Sequence, residues 1–176
     1  MKALLSLLLF LIVIPQQSSE KIIWSENYKL RWEDFRGTPA RSASFVASTN
    51  TGINFGYSYK IDNDDVYIEY AVESFFSRDK SWFVPGKVTR HILDHEQAHF
   101  DISELHARIL RKELNKKKFS KKIKFEIESI YRKVEKQRKT MQQQFDAESN
   151  HSRNEKEEFK WRKYIAKQLS DHDEWK

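Results

Sequence analysis

The chain has 176 residues, with 32 Lys+Arg against 26 Asp+Glu, and a formal net charge of +6. That length suits one domain, and twelve Phe, seven Tyr and five Trp supply large side chains for a core despite 33% charged residues. The absence of cysteine excludes disulfide scaffolds, Cys-ligated zinc fingers, iron–sulfur centres and thiol catalysis, so any metal must be held by nitrogen and oxygen.

Lys2 precedes an apolar run from Ala3 to Ile14, broken only by Ser6, and Pro15-Gln16-Gln17-Ser18-Ser19 follows. This is the layout of a secretory signal, with cleavage expected near Ser18 or Ser19. The run of 12 residues is shorter than the roughly 20 of a spanning helix. The expectation is a signal peptide over 1–19 and a single domain over 20–176. That domain would be secreted or periplasmic, with no membrane span once the signal is removed.

From about 24 to 83 the pattern predicts strands. Tyr28-Lys29-Leu30-Arg31-Trp32, Asn54–Tyr59 and Val66-Tyr67-Ile68-Glu69-Tyr70 alternate apolar and polar residues. Gly37-Thr38-Pro39, Thr51-Gly52 and Asp62–Asp65 read as turns between them. After Pro85-Gly86 both Gly and Pro vanish and the period becomes helical. Val88, Ile92, His95, His99, Ile102, His106 and Ile109 form the inner stripe of a first helix. A basic break follows, with Ser120 as the expected N-cap of a second helix striped by Ile123, Ile127, Ile130, Val134, Met141 and Phe145. A third helix begins near Asn154 and carries Phe159, Trp161, Ile165 and Leu169. The fold class is therefore α+β, a small antiparallel sheet followed by three helices, the first two long and carrying the metal site.

His95-Glu96-Gln97-Ala98-His99 is an H-E-x-x-H sequence. Histidines four apart stack on one helix face, so both imidazoles can reach one ion. Zinc suits them because it accepts neutral imidazole and leaves a position for water. Glu96 is placed to take the proton from that water as it attacks a carbonyl. The metzincin pattern is excluded, since Leu105 stands where a third His is needed. The second helix ends its inner face on Glu148 and His151, polar groups that are costly to bury without a partner. His151 is the expected third ligand and Glu148 its rival, while Asp146, Glu148 or His106 could orient a ligand histidine.

These residues resemble a secreted bacterial family, filed as a domain of unknown function, whose members are taken for zinc-dependent proteases. The matching segments are Leu30–Gly37, Ala47–Ile53, Lys80-Ser81-Trp82, His95–Arg108 and Phe145–Ser152, with Trp161 behind them. The resemblance spans about Trp24 to Leu169. Phe145 stands where the family pattern has Tyr, and Ser149 where it has Thr. It implies a peptidase, with a peptide or protein as substrate.

The expected function is thus a Zn²⁺-dependent metallohydrolase, His95, His99 and His151 holding the ion and Glu96 acting as general base. The competing reading is a non-catalytic basic module with a structural metal site, binding an anionic surface or an acidic partner. It rests on 13 Lys/Arg against four Glu between Arg111 and Lys139. A nucleic-acid role is not expected, since no base-reading motif or stacking platform is evident.

Overall fold

The computed structural model describes residues 20–39 and 45–176; the signal-peptide expectation falls on 1–19 and lies outside them. Five strands come first: β1 (Lys21–Ile23), β2 (Ala47–Ser48), β3 (Thr51–Asp62), β4 (Asp65–Ser77) and β5 (Trp82–Phe83). Three helices follow: α1 (Arg90–Lys116), α2 (Ile123–Ser149) and α3 (Glu155–Asp171). The architecture is α+β, as the sequence pattern predicts.

β3 and β4 form a long antiparallel hairpin, in register from Thr51↔Phe76 to Asp62↔Asp65. Its turn holds Asn63 at φ 56°, a left-handed conformation that asparagine tolerates. β1 extends the sheet in the order β1-β4-β3, while β2 and β5 pair separately. Gly52 is required by close approach: a Cβ there would lie 2.9 Å from the Phe75 ring.

The segment 28–32, predicted as a strand, is irregular and runs into a 3-10 turn at Trp32–Asp34. Side-chain bonds hold it. Asp34 accepts from Arg31 N and from Tyr28 OH, and Gln97 on α1 accepts from Leu30 N. Its alternation serves instead to bury Leu30 and Phe35 against Phe76, Leu93 and Phe100. The second helix starts later than expected, with Lys122 at its N-cap. Ser120 closes a turn onto the Glu126 carboxylate, which accepts from its backbone N.

Helical spacing on α1 and α2 buries one face of each. Leu110, Leu114, Ile123, Ile127 and Val134 pack beneath the hairpin residues Ile53 and Val72. Emptying one such site, as in Ile127→Ala, typically costs about 2–5 kcal/mol. A second helical cluster joins Ala98, Ile102, Phe145 and Ile165 and fixes the spacing of the three helices around the histidines. Phe159, expected on the inner stripe of α3, stands in solvent instead.

Candidate metal centre

α1 starts at Thr89, whose side chain accepts from Ile92 N, and this cap sets the phase that turns His95 and His99 inward. Phe145 of α2 is the floor beneath them. It stacks on the His95 ring at 4.5 Å and meets His99 edge-on at 5.2 Å. Phe145, standing where the family pattern has Tyr, is wholly buried.

Three atoms converge above that floor. His95 Nε2 and His99 Nε2 are 3.2 Å apart, and Asp146 Oδ1 lies 3.2 Å from the first and 3.0 Å from the second. Among the described residues these three form a group able to hold a metal ion. A tetrahedral ion with bonds of about 2.0 Å needs ligand atoms about 3.3 Å apart, so the triangle fits without rearrangement. The donor set, two imidazoles and a carboxylate, suits zinc and neighbouring transition metals.

The far nitrogens of both rings are also engaged. His99 Nδ1 bonds Gln142 Oε1, whose amide nitrogen donates to His99 O at 2.9 Å. His95 Nδ1 faces the fully buried Glu158 of α3 at 3.4 Å, within ion-pair reach though off the hydrogen-bond axis. Both partners favour the tautomer that keeps the proton on Nδ1 and leaves Nε2 free for a metal. Burial alone would lower the pKa of His95. Asp146, Glu158 and the charge of Glu96 outweigh it and lift the imidazole to about 9. Burial likewise pushes Asp146 upward, but His95 and His99 win and hold its carboxyl far below the usual range.

A cleft of about 470 Å³ opens over the group, and Glu96 lines it beside the two imidazoles. Its opposite wall is β2 with the residues around it, Val46 to Thr51. His151 stands on the rim, more than half exposed, stacked on Phe45, with Nδ1 3.6 Å from Asp146 Oδ1. Asn150, His151 and Ser152 all have φ between 49° and 67°, and His91 Nε2 ties Ser152 O at 2.8 Å. Glu148 turns toward α3, where Trp161 Nε1 donates to it. His106 is buried two turns further along the same face of α1, does not line the cleft, and bonds Ile102 O through Nδ1. The structure thus brings His95, Glu96, His99 and Asp146 together, holds His151 alongside, and leaves Glu148 and His106 apart.

Residues 77–152 match the model of a family described as "Bacterial protein of unknown function (DUF922)". The similarity is to DUF922. It covers α1, α2 and every cleft residue they supply, but neither β2 nor Glu158. No curated protein and no solved structure matches the chain. The DUF922 description names no activity, so the chemistry rests on the atoms of the cleft.

Gln142 and Glu158 have no place in the sequence-level site. Gln142 left a trace, since Arg138, Gln142 and Asp146 recur at four-residue steps beside the apolar stripe of α2. Glu158 left none, lying in the acidic first turn of α3 among Glu155 and Glu157.

Proposed function

We propose that the protein is a zinc-dependent hydrolase of amide bonds, most directly a peptidase acting outside the cytoplasm. The observation that carries this reading is the triangle of His95 Nε2, His99 Nε2 and Asp146 Oδ1, open on its fourth side to a cleft containing Glu96. A purely structural metal is usually enclosed by four protein ligands, whereas an open position belongs to catalysis. His151 is the next donor in reach and would complete or replace a corner by a small swing of its exposed ring.

When bound, a divalent cation supplies Lewis acidity, polarising a carbonyl oxygen and acidifying a nearby water. The chain's own groups do the rest. Glu96, beside the imidazoles, would take the proton of the attacking water and return it to the departing nitrogen. Glu158 and Gln142 hold the rings in place throughout.

The far wall supports an extended peptide as substrate. Val84 N donates to Val46 O at 2.8 Å, and Ala47 and Ser48 face Phe83 and Trp82. In such a ladder alternate residues pair, so the backbone N–H and C=O of Ala47 turn away from β5 toward the cleft. A substrate strand laid there would pass the metal group with its carbonyls in line.

The test is metal content by mass spectrometry together with turnover of a broad peptide library. The reading expects about one zinc per chain and library cleavage that Glu96→Gln reduces at least 100-fold with zinc retained. Cleavage undiminished in Glu96→Gln, or no uptake of any divalent ion, would overturn it.

A further inference from the structure

The end of the molecule about 25 Å along α1 from His99 carries a second surface, independent of the cleft. Of the eight large apolar side chains that stand out into solvent among the described residues, four gather here: Tyr59 (46% exposed), Ile61 (40%), Tyr67 (58%) and Phe125 (67%). They come from two elements, the tip of the β3–β4 hairpin and the first turn of α2. Lys121 Nζ ties those elements together through Asp64 Oδ1 at 2.7 Å.

Register places Tyr59 and Ile61 on one face of the hairpin and Tyr67 on the other. Phe125 points outward from the helices, over a shallow groove whose charged lining is Lys116, Lys117, Glu113 and Glu126. No flat protein partner could cover both faces of the tip and Phe125 at once. A soft interfacial layer entered end-on could.

Lysine outnumbers the acids around these groups. Residues 112–124 hold seven lysines and one acid, Glu113, with no arginine. Lys117 is paired with Glu126 and Lys121 with Asp64, while the other five have no ion pair among the described residues. Of the three aspartates in the hairpin turn, Asp62 is neutralised by Lys60 and Asp64 by Lys121, leaving Asp65. Lysine is a point charge on a long apolar stem, which suits a diffuse field of headgroup phosphates better than the bidentate reading of a defined anion.

We infer that this end docks on a lipid bilayer carrying anionic, phosphatidylglycerol-type headgroups. The free lysines lie over the phosphates, and Tyr59, Ile61, Tyr67 and Phe125 enter the interfacial layer. Docked this way, the metal group faces away from the bilayer toward soluble substrate.

The test is co-sedimentation of the full chain with vesicles of phosphatidylcholine alone and with about one-third phosphatidylglycerol, at low and high salt. The apolar segment 3–14 partitions into both vesicle types, so the readout is the ratio between them. The expected ratio favours anionic vesicles by at least about tenfold at low salt and collapses at high salt. Lys118→Glu with Lys122→Glu, both on the surface, should remove about tenfold or more of that preference. Phe125→Ser with Tyr67→Ser should weaken anionic binding by about fivefold or more while leaving zinc content unchanged. Equal binding to the two vesicles would overturn the inference, as would a preference that survives the lysine reversals. So would heparin binding stronger than vesicle binding and indifferent to Phe125→Ser with Tyr67→Ser, which would mark an acidic-polymer site instead.

Discussion

Glu158 Oε2 lies 3.4 Å from His95 Nδ1 and 3.3 Å from His91 Nε2, so one fully buried carboxylate links the metal-facing histidine to the histidine one turn before it. Neither oxygen has an aligned hydrogen-bond donor among the described residues. A charge so enclosed is costly unless a neighbour offers a proton or positive charge. A metal held by His95 would provide it by fixing the N–H on the Nδ1 side that faces Glu158.

Glu158→Gln keeps the shape and removes the charge. The expected outcome is a zinc affinity about 10- to 100-fold weaker, measured by competition with a chromophoric chelator. Hydrolysis at saturating zinc should largely recover, because Glu158 touches neither substrate nor the cleft. Unchanged affinity would remove Glu158 from the site.

Asp146 and His151 compete for the third corner, and substitution separates them. Asp146 Oδ1 lies within 3.2 Å of both imidazole nitrogens, whereas His151 Nδ1 comes only within 3.6 Å of Asp146 itself. Asp146→Ala should abolish tight zinc uptake, and His151→Ala should weaken it by about tenfold, both read by metal analysis after dialysis. The reverse ranking would make His151 the ligand and Asp146 its orienting partner.

Zinc uptake should depend on pH in a definite direction. With His95 at about 9, the metal-free imidazole is protonated at neutral pH, and zinc must displace that proton. Apparent affinity should therefore fall about tenfold per pH unit as pH drops below about 9, and level off above it. Asp146, held low, adds no proton to the exchange. Binding heats in buffers of different ionisation enthalpy would count about one proton released per zinc at pH 7.5. An affinity flat between pH 6 and 8.5 would contradict the arrangement.

Much of this was legible in the sequence because helices write their contacts locally. The four-residue step of His95 and His99 guaranteed convergence on one face, and the disappearance of Gly and Pro after 86 marked the helical half. The third corner was harder, because α2 ends in three left-handed residues that turn His151 out of the helical stripe and leave Asp146 inward. Glu158 was invisible, since nothing local distinguishes a buried carboxylate from its exposed neighbour Glu155 or the half-buried Glu157. Residues 28–32 misled for a related reason: the alternation was real, but side-chain caps rather than a partner strand satisfied the backbone.

His106 gives a stability prediction opposite in sign to that of His95. Burial pulls the His106 pKa below its ordinary 6.5, the bond to Ile102 O and the charge of Glu135 oppose this, and Arg138 and His172 reinforce it. The folded chain then binds fewer protons than the unfolded one below pH 6.5, so stability falls as pH drops through that value and is unaffected well above it. His95, raised to about 9, contributes fully below 6.5 and loses its contribution as pH rises through 9. In metal-free protein the two effects partly mask each other, and a variant is needed to separate them. His106→Asn carries an amide nitrogen where Nδ1 stands, so it retains a donor for Ile102 O and cannot titrate. Denaturant unfolding at pH 7.5 and 5.0 should show wild type losing more stability on acidification than His106→Asn, while His95 acts equally in both. Equal losses would mean that His106 accepts its proton in the folded chain as readily as in the unfolded one.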